Sequence, residues 1–289
     1  MDYFVNLLSQ VCIYVIQVAT LDLLVGYTGI FSFGHAAFIG IGAYTTALLL
    51  TKLHLGFGAV LLGSMLAPMA LAFAVGLPTL RLSGDYFVLG TIGLTNVTAS
   101  ILTNWVAVTN GPFGIYGIPD ISLFGWKVVT PGQFLAVTIV VTAVVLLVKH
   151  LLISAPFGLT LQAIREDETV TVMMGKNVAR MRAIAFAIAG AGAGLSGLLT
   201  AYNLRFIDPT LFDLQLVIFA WAALFVGGCA SIVGNILGPL ILVGFPEALR
   251  FIGLQGGAVA HVREILYGGL LIVMTIFRPQ GIAGNYRIR

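Results

Sequence analysis

Charged residues are scarce in this chain of 289 residues, which has 14 basic and 11 acidic side chains, or 9% of its length. An ordinary soluble domain is about 25% charged. A soluble domain of this size must cover its surface with polar groups, and here 59% of the residues are hydrophobic. The composition therefore excludes a soluble enzyme, a disordered chain and a nucleic-acid-binding protein. It leaves an integral membrane protein with several spans.

The motifs of common catalytic and metal sites are also missing. The sequence has no G-x-x-x-x-G-K-[ST] loop, and its one Gly-Lys pair is Gly175-Lys176. It has no cluster with metal-ligand spacing and no nucleophile elbow. Cys12 and Cys229 lie in apolar stretches, as small buried hydrophobic residues do. We expect no bound ATP, no metal, no other cofactor and no bond chemistry in this chain.

Long apolar runs fill most of the sequence. A helical span needs about 20 apolar residues, and open backbone is not tolerated in lipid. The sequence thus predicts an all-α helix bundle that forms one membrane domain over residues 1–289. The nine predicted spans are 4–25, 34–53, 57–80, 86–106, 131–152, 183–204, 214–230, 235–252 and 262–277. The seventh and eighth of these are short, and they are also compatible with a re-entrant pair.

Basic residues concentrate in two segments that four predicted spans separate. Because short cytoplasmic loops are rich in Lys and Arg, both segments are predicted to be cytoplasmic. The N-terminus is then outside and the C-terminus inside. The basic residues are Lys149, Arg165, Lys176, Arg180 and Arg182 around the connector, and Arg278, Arg287 and Arg289 in the tail.

Glycines crowd the turn between the first two predicted spans. Such a turn suits an irregular segment sheltered by protein, which is typical of a permeation pathway. A single histidine there is either a hydrogen-bonded interior residue or a ligand or proton carrier. The pathway candidates in this turn are Gly26, Tyr27, Gly29, Ser32, Gly34 and His35.

The fourth predicted span has two polar faces. Thr91, Thr95 and Thr98 form one face, and Asn96 begins the other, which continues through Ser100 and Asn104. A helix that is polar on two sides is expected to be surrounded by protein, either for interhelical hydrogen bonds or beside a pathway. Asp85, at its start, is a further pathway candidate. Asp22, Asp85 and Glu247 fall near predicted span ends, and no relay among them is evident.

Small residues recur every three or four positions in the sixth predicted span. This spacing lets two helix backbones approach closely, so it predicts a packing seam. A seam that moves during a transport cycle is compatible with the same pattern. Its central residues are Ala187, Gly190, Gly194 and Gly197.

The connector 153–182 has a proline at residue 156, where helices start, and Gly175 and Asn177, where they stop. An amphipathic helix is predicted between them, with Leu161, Ile164, Glu168, Val172 and Gly175 on one face. It either lies on the membrane or docks into a partner protein. The acidic run 166–168 would be repelled by anionic lipid, which favours the partner.

Taken in order, these segments resemble the permease subunits of branched-chain amino acid importers of the ABC class. The resemblance extends from about residue 22 to residue 282. Its pieces are VGYTGIFSFGHAAF at 25–38, GDYF at 84–87, NGPFGI at 110–115, SAPFG at 154–158, AIREDE at 163–168, MGKN at 174–177, IDP at 207–209, PEALR at 246–250 and RPQGI at 278–282.

The resemblance implies a heteromeric importer in the cytoplasmic membrane of a prokaryote. A second permease subunit completes the pathway, two cytoplasmic subunits bind ATP, and an extracytoplasmic binding protein delivers a branched-chain or other hydrophobic amino acid. The segment 154–180 would then couple this chain to an ATPase. The coupling residues would be Arg165, Glu166, Asp167, Glu168, Met174 and Gly175.

Other functions stay open on the sequence alone. The same class of importer moving urea or short amides would show the same features. An ion-coupled secondary transporter would need an intramembrane carboxylate or paired broken helices. A membrane enzyme or haem protein would need paired histidines inside spans, and only His35 and His261 come near.

Overall fold

The computed structural model describes residues 2–79, 84–123, 126–250, 268–269 and 280–284. Most of these residues are helical. The eleven α-helices among them are α1 (Asp2–Thr28), α2 (His35–Thr51), α3 (Phe57–Thr79), α4 (Asp85–Asn104), α5 (Val106–Thr109), α6 (Pro131–Ser154), α7 (Pro156–Glu166), α8 (Glu168–Met173), α9 (Val178–Leu204), α10 (Leu214–Gly227) and α11 (Ile232–Arg250).

Five helices are long and apolar enough to cross a membrane, namely α1, α3, α4, α6 and α9. Helix α10 and residues 232–245 of α11 form a pair bent by 120°, which counts as a sixth candidate span if it is one broken element. Helix α2 is apolar but has only 17 residues. The described part of the chain thus has five or six candidate spans, so nine spans are not confirmed. The predicted span 262–277 lies outside the described residues, apart from 268 and 269, and the orientation of the termini stays a prediction.

Helix α9 lies at the centre of the bundle. It packs against α1, α2 and α3, while α1 also contacts α6 and α11, and α10 packs on α11. Helices α1 and α9 are mostly buried within the chain, whereas α6 turns most of its surface outward. The small residues of α9 allow this arrangement because three neighbours can approach its backbone.

The described residues are mostly helical, as predicted, and two pairs of two-residue strands accompany the helices. Strand β1 (Ile115–Tyr116) pairs antiparallel with β4 (Phe206–Ile207), and β2 (Ser122–Leu123) pairs antiparallel with β3 (Trp126–Lys127). Gly114 and Gly117 flank β1 with φ angles of 68° and 76°, conformations that side chains with a Cβ disfavour. The β1–β4 pair joins the loop after α4 to the segment that follows α9.

The connector contains two helices, so the prediction of one continuous amphipathic helix is wrong. Helices α7 and α8 are separated at Asp167, which has extended backbone angles (φ −156°, ψ 111°). Its side chain accepts a hydrogen bond from Val170 N at 3.0 Å, as an N-cap residue does. The predicted common face is split, because Leu161 and Ile164 are buried whereas Val172 is exposed.

Candidate functional site

Residues 29–34, here called the linker segment, join α1 to α2 without helical structure. Gly29 has a φ of 70°, which lets the chain turn away from α1. Helix α4 holds the far end of the segment, because Phe33 N donates to Thr91 Oγ1 at 3.0 Å and Thr95 Oγ1 donates to Phe33 O at 2.8 Å. The structure therefore brings together the glycine-rich turn and the threonine face, two features that the sequence suggested separately.

Aromatic rings cover the linker segment on the side of α10. The Trp221 ring stacks on Phe31 at 5.4 Å and on Phe33 at 5.3 Å between ring centroids. Its Nε1 donates to Ser32 O at 3.3 Å. Trp221 could not be identified from the sequence, since nothing in its own helix distinguishes it from a core residue.

The histidine and the remaining turn residues are interior. His35 is buried, with Nε2 at 3.0 Å from Thr20 Oγ1. Gly34 N donates to Ser32 Oγ at 3.3 Å. A Cβ on Gly34 would lie 3.2 Å from Leu94 Cδ2, so the segment packs closely on α4. In this structure His35 is a hydrogen-bonded interior residue.

The two polar faces of α4 have different surroundings. Thr91, Thr95 and Thr98 are buried against the chain. Asn96, Ser100 and Asn104 are exposed, as is Asp85 in the first turn. The described part of this chain therefore surrounds only one of the two faces. Exposed amides on a membrane span are costly against lipid, so the other face needs protein or water beside it.

The last turns of α1 contain an ion pair that the sequence analysis missed. Asp22 is fully buried, and its Oδ2 lies 2.7 Å from Lys149 Nζ. Lys149 was counted among the basic residues of the cytoplasmic connector, but it is only 5% exposed. A signal was present in the sequence, because an acid and a base each interrupt an apolar run. Their pairing depends on how α1 and α6 face each other.

The neighbouring pathway candidates contact the break between α10 and α11. Tyr27 Oη donates to Ala230 O at 3.0 Å. A Cβ on Gly26 would overlap Asp22 Oδ1 and lie 2.6 Å from Ala230 N. Glycine is thus required at position 26 for α1 to approach this break.

The predicted coupling segment, residues 154–180, divides into an inner and an outer part. Arg165 is 10% exposed and donates through Nη1 to Gly26 O, so it points into the bundle. Glu166 and Glu168 are mainly exposed, and the Oε2 of Glu168 lies 2.9 Å from Arg182 Nη1. Met174 follows α8 on the exposed side, and Gly175 has a φ of 77°.

The seam of α9 faces α3 and α2. A Cβ on Gly190 would lie 2.6 Å from Ala72 Cβ, and one on Gly194 would overlap Ser64 O. A Cβ on Gly197 would lie 2.7 Å from Ala43 N. Ala187 is buried in the same row. The three glycines of the seam therefore lie where the backbone of α9 comes closest to α3 and α2.

A profile of the family described as branched-chain amino acid transport system / permease component matches residues 3–275. The chain belongs to this family. Membership and the apolar helices together identify a multi-pass membrane protein.

Relatives of this family member are found in bacteria and archaea. The LivM proteins of Salmonella typhimurium and Escherichia coli are each 32% identical to it over 303 residues, which cover 96% of this chain and 69% of those proteins. Both are named high-affinity branched-chain amino acid transport system permease proteins. The probable LivH permease of Methanocaldococcus jannaschii is 30% identical over 205 residues, 69% of this chain and 61% of that protein. No solved structure matches significantly.

Proposed function

We propose that this chain is a permease subunit of an ATP-driven importer in the cytoplasmic membrane of a prokaryote. It forms part of the translocation pathway for branched-chain or other hydrophobic amino acids. Its partners are a second permease subunit, two cytoplasmic ATP-binding subunits and an extracytoplasmic solute-binding protein. The chain hydrolyses no ATP itself. The names of its relatives, branched-chain amino acid transport permeases of the LivM and LivH types, support the substrate class and the pairing of two permeases.

The exposed tip of the coupling segment is the observation on which the proposal depends. Leu161 and Ile164 are buried, while Met173 and Met174 are 81% and 73% exposed. Flexible methionines adapt well to a protein surface. Glu166 and Glu168 on the same segment are paired with Arg165 and Arg182, so these charges do not draw the segment to the anionic cytoplasmic leaflet. The tip is therefore suited to a cleft on a cytoplasmic protein, and an ATPase subunit is that protein.

The pathway is proposed to run beside α4. The polar side chains of Asn96, Ser100 and Asn104 are exposed on a candidate span. Because lipid cannot hydrogen-bond them, they are expected to face a second permease subunit or the water between the two permeases. The linker segment lies on the opposite, threonine face of the same helix. A movement of that segment would therefore displace α4.

Reconstitution tests this function. The chain is purified with its second permease and ATPase subunits, placed in proteoliposomes, and supplied with the binding protein and radiolabelled leucine. We expect leucine import that requires ATP and the binding protein. Met173→Asp should reduce co-purification of the ATPase, while Met173→Leu, which keeps an apolar side chain, should retain it. ATP-independent import would contradict the proposal.

Proteoliposomes with this chain alone and with the whole complex separate the remaining alternatives. Import by this chain alone under an ion gradient would identify a secondary transporter. Competition by urea or acetamide, but not by isoleucine or valine, would identify an importer of small amides.

A further inference from the structure

Asp22 is an acidic side chain buried inside a candidate membrane span. It is paired with Lys149 at 2.7 Å, and neither side chain is more than 5% exposed. Burying two charges is expensive, and well-packed apolar side chains are often at least as stable in their place. Ionisable groups at such positions therefore point to a functional role.

The carboxylate also binds the break between α10 and α11. Asp22 Oδ1 accepts from Ala230 N at 2.8 Å, and Oδ2 accepts from Asn235 Nδ2 at 3.2 Å. Ala230 has a φ of 56°, which is strained for a residue other than glycine. Tyr27 Oη donates to the carbonyl oxygen of the same residue at 3.0 Å. Helix α1 thus holds Ala230 through both its N–H and its C=O.

The same turn of α1 contacts the coupling segment. Arg165 donates to Gly26 O, and a Cβ on Gly29 would lie 3.0 Å from Arg165 Cγ. Residues 22–29 therefore lie between the coupling segment on one side and the α10–α11 break on the other. A displacement of Arg165 acts directly on this turn.

We infer that Asp22 is a positioning residue that transmits movement of the coupling segment to the α10–α11 break. The inference rests on the proposed function, because it needs an ATPase to move the coupling segment. The competing explanation is that Asp22 only balances the charge of Lys149. The two explanations differ on what must be kept: the hydrogen-bond acceptor for Ala230 N, or the neutrality of the pair.

Two double variants separate these explanations. Asp22→Asn with Lys149→Met removes both charges and keeps an acceptor for Ala230 N. Asn235 can rotate its amide to match, since its Oδ1 has no hydrogen-bond partner among the described residues. Asp22→Leu with Lys149→Met is also neutral and of similar size, but it has no acceptor.

The measured quantity is leucine imported per ATP hydrolysed, in proteoliposomes that contain the whole complex. A purely structural role would change the yield of complex without changing this ratio. We expect the Asn/Met variant to stay close to wild type. The Leu/Met variant should lose about tenfold in the ratio, within the usual range for energetic coupling between sites.

Equal ratios in the two double variants would overturn the inference in favour of charge balance. A lower yield of the Leu/Met complex with an unchanged ratio would overturn it in favour of a structural role. Should that variant not assemble, Tyr27→Phe removes one hydrogen bond of the same link, and an unchanged ratio there would also overturn the inference. If the wild-type complex itself showed no ATP-dependent leucine import, the proposed function, on which the inference depends, would be wrong.

Discussion

Thr95 Oγ1 donates a hydrogen bond of 2.8 Å to the carbonyl oxygen of Phe33. The threonine is on α4 and the phenylalanine is in the linker segment, 62 residues earlier in the chain. Phe33 N also donates to Thr91 Oγ1. Both backbone polar groups of Phe33, which lies outside any helix, are therefore hydrogen-bonded inside the bundle. These bonds also give the linker segment a fixed position relative to the helix proposed to border the pathway.

Thr95→Val should weaken this attachment. Valine keeps the shape but removes the donor, and a buried carbonyl left unsatisfied costs about 1–3 kcal/mol. We expect a lower thermal midpoint of the purified complex and slower ATP-dependent leucine import. Thr95→Ser keeps the hydroxyl and should be close to wild type in both measurements. Equal behaviour of the two variants would show that the bond is unimportant.

Gly194→Ala should disturb the contact between α9 and α3. The added Cβ would overlap Ser64 O, and overpacking of this kind costs about 1–3 kcal/mol. Gly93→Ala on α4 is the matched control, because no other atom of the described residues lies within 4 Å of a Cβ there. Thermal unfolding of both variants in detergent provides the measurement. A melting temperature for Gly194→Ala equal to that of the control would refute the close approach.

Met173→Asp should weaken binding of the ATPase subunit. A charge at an exposed apolar contact removes favourable burial, and a central contact of this type is worth about tenfold or more in affinity. Binding of purified ATPase to detergent-solubilised permease complex can be titrated directly. Met173→Leu is the control. Equal affinities of the two variants for the ATPase would show that Met173 does not contact it.

The coupling segment and the loop after α4 should be accessible from opposite sides of the membrane, since the candidate span α6 separates them. An impermeant thiol reagent should label Tyr116→Cys in intact cells or spheroplasts. It should label Val172→Cys only after permeabilisation. Cys12 is replaced by alanine beforehand, and Cys229 is buried. Labelling of Val172→Cys from outside would reverse the predicted orientation and remove the coupling role.

Much of the functional outline could be predicted from the chain itself. Low charge and long apolar runs are sufficient to predict a membrane protein, because such a sequence cannot provide the polar surface that a soluble fold needs. Glycine spacing in α9 indicates close backbones, since the absence of a Cβ is a local property. Helical structure in the connector 153–182 was predicted, and its coupling role stays a prediction. The break at Asp167 was missed, because capping by one side chain competes closely with a continuing helix.

The residues that connect these parts depended on the tertiary structure. Asp22 and Lys149 are 127 residues apart, and each by itself looked like a charge near the end of a span. The role of Arg165 as a coupling residue stays a prediction, whereas its hydrogen bond to Gly26 O was not foreseen. The local sequence pattern predicts which side chains lie on each face of a helix. The contacts between those side chains depend on the rotation and spacing of neighbouring helices, which are set by packing across the whole bundle.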